Sequence, residues 1–397
     1  MKENIDVAGQ PTTHGVPHFA DAVADVDAPP VRRLRQAGAV PLGHTNMPDL
    51  TIGGNVTVSQ LFGETRNPWG VIRTPGGTSG GDGAAVAAGM APLGLGNDSG
   101  GSLRVPAMFC GATALKPTYG RFSSDHRVAG REPTLAAQLF PVDGPIARSV
   151  DDLALVTEIL SGVDPRDPRV VPVPTAGPPL PKCVAVCEDP GGLGVHPQVR
   201  AEVRRAADVL DDAGYEVVEV QPPRIIEAME AFGVMVTAEF SVRWPAVRPL
   251  LSAQAARHMD LSMKRAPPAD LASYLEATAT RFGIERDWTL FAQRYPLILG
   301  PVYTERPFDA DLGDRAQALR TMVGMRLCTA STCVGVPAVA VPTGVVDGQP
   351  LGVQLIAPHY REDICLQGAG LLEERFGVLT PVHRPTATRC DSIPDTI

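Results

Sequence analysis

Apolar and polar positions along the second half of the chain alternate between short extended runs and amphipathic stretches. An apolar run at 182–186 is followed by an amphipathic stretch at 198–213, by Gly214, and by a second apolar run at 215–220. A strand, a helix and a strand in this order form a βαβ unit, whose two strands pair in parallel. The pattern therefore predicts an α/β domain.

The pattern in the rest of the chain also predicts alternating helices and strands. It predicts helices at 31–37, at 82–90, after an N-cap at Ser149 and at 363–376, and strands at 336–341 and 351–356. The proline-rich segment 165–181 is predicted to cross the surface. Residues 225–320 read as mainly helical, and we expect them to form a helical insertion on the substrate side of a single domain spanning 1–397.

Composition excludes several classes of protein. Of the 397 residues, 44% are hydrophobic and 20% are charged, which is an ordinary globular balance. The net charge is −9 and no basic stripe occurs, so nucleic acid is not an expected partner. Charges follow Met1 where a secretory signal has an apolar core. The apolar stretch 84–96 is short and broken by glycine and proline, which predicts a buried helix with its exit turn rather than a membrane span. We therefore expect a cytoplasmic protein.

Metal-ligating residues form no recognisable site. The seven cysteines are scattered without paired Cys-x-x-Cys units, which is typical of reduced thiols and not of structural zinc. His14 and His18 have helical spacing, but Pro17 lies between them and forbids a helix there. We expect neither a metal nor a cofactor.

Two glycine–serine clusters, at 75–81 and 99–102, flank an alanine-rich stretch. Glycines allow positive φ angles, so that backbone N–H groups can converge on one point and stabilise an oxyanion beside a nucleophilic hydroxyl. Ordinary glycine-rich turns remain an alternative. Neither cluster contains the lysine of a P-loop, and the dinucleotide fingerprint that begins at Gly94 fails at Ser99.

A further alternative makes Ser79 the nucleophile. Residues 77–81 match the Gly-x-Ser-x-Gly elbow of α/β-hydrolases. That elbow follows a buried strand directly, whereas Pro75 lies just before this one and would remove a hydrogen-bond donor from a strand. The sequence disfavours this reading.

The stretch 75–120, PGGTSGGDGAAVAAGMAPLGLGNDSGGSLRVPAMFCGATALKPTYG, resembles the signature of the amidase signature family. The resemblance extends upstream to KENIDVAG at 2–9, LGHTNMP at 42–48 and GETRNPW at 63–69, and downstream to GPIARSV at 144–150 and GVQLI at 352–356. It covers most of the chain and is weakest across 225–320. It implies a central twisted mixed β-sheet surrounded by α-helices.

The resemblance also implies an activity and its residues. The activity is hydrolysis of a carboxamide to a carboxylate and ammonia or an amine through an acyl-enzyme. The family's Ser–cis-Ser–Lys triad falls on Ser102, Thr78 and Lys2, with Gly77–Thr78 expected to be a cis peptide. The implied oxyanion donors are the backbone N–H groups of Ser99, Gly100, Gly101 and Ser102, and the implied supporting residues are Ser79, Asp98, Arg104 and Gly77. The expected partner is a small-molecule amide, without nucleic acid or membrane, and a homodimer is left open.

The chemistry of a lysine base adds a requirement of its own. A base must be neutral, yet lysine has an ordinary pKa of about 10.4. Reaching neutrality near pH 7 takes a shift of about 3.4 units, which burial can supply. We therefore expect Lys2 to lie in a dry pocket.

Two departures from the family pattern leave other functions open. Thr78 stands where the family usually has serine, and Lys2 is almost the first residue, whereas relatives carry several dozen residues before this lysine. The expectation is that the chain is truncated. The alternatives are the amidase-like subunit of a glutamyl-tRNA amidotransferase and a truncated, inactive homologue.

Overall fold

The computed structural model describes residues 1–128, 130–265, 268–310 and 323–379. The strands are β1 (Val58–Ser59), β2 (Gly63–Glu64), β3 (Leu93–Asp98), β4 (Thr113–Lys116), β5 (Val142–Ala147), β6 (Cys183–Val186), β7 (Glu216–Glu219), β8 (Leu297–Pro301), β9 (Ala338–Val346) and β10 (Gln349–Ile356). The helices are α1 (Pro29–Gln36), α2 (Gly80–Ala87), α3 (Arg104–Cys110), α4 (Leu135–Leu139), α5 (Val150–Leu160), α6 (Pro197–Asp212), α7 (Ile225–Val247), α8 (Ala253–Arg265), α9 (Leu271–Arg294), α10 (Arg326–Val334) and α11 (Glu362–Phe376).

Eight strands form one central mixed sheet, in the order β3-β5-β4-β9-β10-β8-β6-β7. The pairs from β3 through to β8 are antiparallel. The last two pairs, β8 with β6 and β6 with β7, are parallel. The predicted βαβ unit is therefore confirmed, and so is the expected mixed sheet surrounded by helices.

Alternation along the strands separates two helical layers. Val184 packs in one core with α1, α5, α6 and α11, whereas its neighbour Ala185 packs in another core with α7, α9 and α10. Leu297 and Ile298 divide between the same two cores. Successive side chains of a strand point to opposite faces, so the sheet is covered by helices on both faces.

Several elements differ from the prediction. Residues 93–96, predicted as part of the exit turn of a helix, instead belong to strand β3. Its glycines reflect close packing rather than a turn, because a Cβ at Gly94 would lie 2.8 Å from Asp82 Cβ on α2. Strands β4 and β5 were not predicted. The segment 225–320, predicted to be mainly helical, contains β8 within the central sheet, and its residues 266–267 and 311–320 lie outside the described part.

Other local predictions are confirmed. Ser149 caps α5, since its side chain accepts a hydrogen bond from Asp152 N. Cysteines 110, 183, 187, 328, 333 and 365 are buried and unpaired, and Cys390 lies outside the described residues. In the described ranges, no helix is both long and apolar enough to cross a membrane.

Close contact between α2 and the chain at Asn46 predicts a sharp difference between two helical glycines. A Cβ at Gly81 would lie 2.4 Å from the carbonyl oxygen of Asn46, whereas one at Gly370 on α11 would meet nothing within 4 Å. We expect Gly81→Ala to lower the free energy of unfolding by about 1–3 kcal/mol. Gly370→Ala should leave it unchanged or raise it by up to about 1 kcal/mol. Urea unfolding of both variants checks this, and equal midpoints would contradict the contact.

Candidate active site

Lys2 lies beside β3, the edge strand of the central sheet. Its backbone N–H donates to Leu95 O on β3 at 2.8 Å, and it forms a parallel bridge with Thr45. The side chain is fully buried. The Nζ atom donates to Thr78 Oγ1 and to Asn97 Oδ1, each at 2.6 Å. The expected dry pocket for Lys2 is confirmed.

Thr78 reaches Lys2 from the turn that precedes α2. The Gly77–Thr78 peptide is cis, as predicted. The first turn of α2 is anchored nearby, because Gly81 N donates to Asn46 O at 3.2 Å. Thr78 is almost completely buried, so the Lys2–Thr78 hydrogen bond is shielded from water.

Ser102 belongs to the short segment between β3 and α3. Its carbonyl oxygen accepts the N–H of Ser79 at 3.1 Å, so its backbone lies beside the residue that follows Thr78. Ser79 Oγ in turn donates to Asn97 O at 3.3 Å. Ser102 is half-buried, in contrast to Lys2. The structure thus joins Lys2 and Thr78 through their side chains and ties Ser102 to the same cluster through its backbone.

Asp98, the last residue of β3, shapes residues 99–102. We call these residues the nucleophile segment because they include the predicted nucleophile, Ser102. Its Oδ1 atom accepts the N–H groups of Gly100 at 3.0 Å and Gly101 at 2.7 Å, and its Oδ2 atom accepts that of Leu103 at 3.2 Å. Gly100 and Gly101 have φ angles of 150° and 133°, which other residues adopt only with strain. Two of the four expected oxyanion donors are therefore engaged by a carboxylate.

Arg104 neutralises this carboxylate inside the protein. Its Nε donates to Asp98 Oδ2 at 3.0 Å, and both side chains are fully buried. The guanidinium also donates to Asp98 Oδ1 at 3.0 Å, and to Ser331 Oγ, Gln354 Oε1, Cys328 O and Thr332 Oγ1. Burial alone would raise the pKa of the Asp98 carboxyl, but the Arg104 guanidinium holds that pKa well below its ordinary value.

The charge state of Lys2 follows from burial. Loss of water lowers its pKa to about 8, against the opposing attraction of Asp82, Asp98 and Asp143. A second lysine, Lys116, is equally buried, and its pKa is lowered to about 7 by burial and by Arg104. Its Nζ donates only to Pro117 O among the acceptors described. Geometry therefore distinguishes the two lysines, since Lys2 alone of the pair contacts a hydroxyl of the site.

Asn97 is a residue of the site to which the sequence analysis assigned no role. Its Oδ1 atom shares the Lys2 ammonium with Thr78, and its Nδ2 atom donates to Asn4 Oδ1 at 3.0 Å. The sequence places Asn97 directly before Asp98, which could have indicated a site residue. Strand β3, at whose end both residues lie, was not predicted.

A separate cavity of about 560 Å³ lies next to this site. It is lined by side chains of the N-terminal segment and of 41–44 and 61–62, including Glu3, His44 and Phe62. None of Lys2, Thr78 and Ser102 lines it. The chemistry of the site, and not this cavity, identifies where a substrate would react.

The family of the chain follows from comparison with known proteins. A family model described as Amidase matches residues 1–366. The chain belongs to the amidase family. The same conclusion follows from an indoleacetamide hydrolase of Bradyrhizobium diazoefficiens, which is 40% identical over 391 residues covering 97% of this chain and 74% of that protein.

Other relatives place this amidase among amide-processing enzymes. A glutamyl-tRNA(Gln) amidotransferase subunit of Moorella thermoacetica is 36% identical, over 97% of this chain and 82% of that protein. The structure of a 6-aminohexanoate cyclic dimer hydrolase complexed with substrate has a TM-score of 0.79 at 27% identity, covering 96% of this chain and 85% of that one. The amidase is thus an enzyme that hydrolyses carbon–nitrogen bonds other than peptide bonds.

The buried Asp98–Arg104 pair predicts a large cost for losing one partner. Arg104→Met leaves the Asp98 carboxylate buried without its counter-ion, and breaking such a pair costs about 3–5 kcal/mol. We expect urea unfolding to show a loss of that size. The matched control is Arg375→Met, which breaks the exposed Arg375–Asp212 pair and should leave the unfolding midpoint almost unchanged. A similar loss in both variants would show that burial of the Asp98–Arg104 pair is not the cause.

Proposed function

We propose that the chain hydrolyses a primary carboxamide to a carboxylate and ammonia, with Ser102 as the nucleophile, Thr78 as the proton relay and Lys2 as the base. The observation that supports this most is the buried 2.6 Å contact between Lys2 Nζ and Thr78 Oγ1. A lysine held dry against a hydroxyl can lose its proton near neutral pH and then accept the proton of that hydroxyl.

The same three residues carry every proton transfer in the proposed reaction. Ser102 Oγ attacks the carbonyl carbon, its proton passes to Thr78 Oγ1, and the Thr78 proton passes to neutral Lys2. The tetrahedral intermediate then breaks its C–N bond, and the departing nitrogen takes a proton back through Thr78. Water then attacks the Ser102 ester and loses a proton through Thr78 to Lys2. The C–O bond to Ser102 Oγ breaks, the same proton returns through Thr78 to restore the Ser102 hydroxyl, and the carboxylate is released.

The nucleophile segment supplies the proposed oxyanion donors. Gly100 and Gly101 direct their N–H groups to Asp98. Among the described residues, no acceptor takes the N–H of Ser99 or Ser102. We assign the developing negative charge to these two donors first, and the Asp98 contacts hold the segment in the shape that presents them.

The substrate we propose is the primary amide of an arylacetic acid. The support is the 40% identity to an indoleacetamide hydrolase over almost the whole chain. Glutamine is the second candidate, because the chain is also 36% identical to a glutamyl-tRNA(Gln) amidotransferase subunit. Ammonia release from indole-3-acetamide, phenylacetamide, acetamide and glutamine, measured without added proteins, separates the two. Release from glutamine alone would favour the amidotransferase reading.

Substitutions in the proposed triad should have graded effects. Ser102→Ala and Lys2→Met should each lower kcat by about 100-fold or more, because each removes a group that a proton or bond must pass through. Thr78→Ala should do the same, whereas Thr78→Ser keeps a hydroxyl with the same donor and acceptors and should retain most of the turnover. Steady-state kinetics of ammonia release measures all four variants.

The matched control for Lys2 is Lys116→Met, which removes a lysine that is as deeply buried but contacts no hydroxyl of the site. It should retain turnover per folded molecule. Full turnover in Lys2→Met would exclude Lys2 as the base, and equal losses in the two lysine variants would point to a general effect of burying fewer charges.

The pH dependence of kcat/KM should follow Lys2. The lysine is charged below its pKa of about 8 and neutral above it, so activity should rise with pH and level off above that value. At two pH units below a pKa, about 1% of a lysine is neutral. An amide substrate does not titrate in this range, so the substrate cannot cause the rise. A flat profile between about pH 6 and 9 would contradict a lysine base.

A further inference from the structure

Two side chains from different helices meet at the nucleophile segment. A Cβ built on Gly100 would lie 3.7 Å from Phe232 Cζ and 3.8 Å from Thr329 Oγ1. Both atoms therefore flank the same point of the segment that carries Ser102. On the neighbouring residue the space is already filled, because a Cβ at Gly101 would lie 3.2 Å from Met325 Sδ and from Val105 Cγ2. An added carbon therefore fits beside Gly100 without a clash, whereas beside Gly101 it would crowd its neighbours.

Phe232 is held in place by a second aromatic ring and by the anchoring of its helix. It lies on α7, is half-buried, and packs on the fully buried ring of Phe140 with 4.7 Å between ring centroids. Helix α7 is fixed to its neighbours through Glu239, whose Oε1 accepts Ala136 N at 2.8 Å and the Tyr274 hydroxyl at 2.5 Å. An aromatic wall of this kind suits a flat ring.

Thr329 brings a polar group to the same place. It lies on α10 and is almost completely buried, and its Oγ1 atom would lie 3.8 Å from a Cβ built on Gly100. A threonine hydroxyl can donate one hydrogen bond and accept two. Pockets for small molecules are mostly apolar and carry a few polar groups that fix orientation, which is the combination found here.

We propose that Phe232 and Thr329 form the acyl-side subsite, in which the Phe232 ring stacks on an aromatic acyl group and the Thr329 hydroxyl accepts a hydrogen bond from a ring N–H. This inference rests on the proposed function, because it places the substrate carbonyl at Ser102. It narrows the substrate to arylacetamides whose ring carries an N–H donor. Phe232 and Thr329 act on substrate choice and take no part in bond breaking.

Three amides separate the two contributions. Indole-3-acetamide has the ring and its N–H, 1-naphthaleneacetamide has a ring of similar size without the N–H, and acetamide has neither. Phe232→Ala should lower kcat/KM for both aromatic amides by about 10- to 100-fold and change that for acetamide little. Thr329→Val keeps the shape of the side chain without its hydroxyl, and it should lower kcat/KM for indole-3-acetamide alone, by about three- to tenfold.

The controls are matched in residue type and lie on α9. Phe282→Ala removes a ring that is 60% exposed, and Thr289→Val removes an exposed hydroxyl bonded to Glu285 O. Both should leave all three rates unchanged. Equal losses of Phe232→Ala on all three amides, or of Thr329→Val on both aromatic amides, would overturn the subsite and leave the two residues a structural role.

Binding distinguishes failure of the subsite from failure of the proposed reaction. Calorimetry of indole-3-acetamide on Ser102→Ala, with and without each subsite substitution, needs no turnover. Weaker binding in both double variants supports the subsite even when the wild-type chain releases no ammonia, in which case the proposed function alone fails. Wild-type turnover of indole-3-acetamide together with unchanged binding in the double variants overturns the subsite alone.

Discussion

The carboxylate of Asp98 is the group around which the site is built. It ends β3, accepts three turn N–H groups, and pairs with Arg104 at the start of α3. A buried carboxylate is costly unless it is paired and hydrogen-bonded, and here it is both. Because Gly100 and Gly101 must turn back onto it, the path of the chain into Ser102 follows from satisfying this one charge.

Two buried lysines illustrate why burial alone does not identify a base. Burial lowers the pKa of both Lys2 and Lys116 towards neutrality. Only the contact of Lys2 with Thr78 offers a proton path, whereas Lys116 is bonded to the carbonyl of the next residue. Burial allows either lysine to be neutral near pH 7 to 8, but only Lys2 lies within hydrogen-bond distance of a hydroxyl of the site.

The two glycine–serine clusters that contain Thr78 and Ser102 are visible in the sequence because glycines constrain the backbone beside both, whereas the roles proposed for the two residues come from the resemblance to the amidase signature family. Gly100 and Gly101 have positive φ angles, and Gly81 lies too close to its neighbours for a Cβ. Each of these positions therefore requires glycine, which makes the clusters recognisable in the sequence. Strand β3 could not be predicted from the sequence, because its glycines lower the β-propensity of the segment. The role of Asn97 could not be predicted either, because it depends on Lys2, which lies 95 positions earlier in the chain.

The sequence gives no local indication of Phe232 and Thr329 either, since neither needs a special backbone conformation. The two side chains are held in place by different contacts. Thr329 sits on α10 between residues that Arg104 binds directly, Cys328 through its carbonyl and Thr332 through its hydroxyl. The ion pair that shapes the nucleophile segment therefore also fixes the hydroxyl opposite it. Phe232 instead depends on Phe140 and on the anchoring of α7, away from the buried charges. Changes of ring size at α7 can thus alter the substrate without disturbing the Asp98–Arg104 pair, whereas the position of the Thr329 hydroxyl depends on that pair through Cys328 and Thr332.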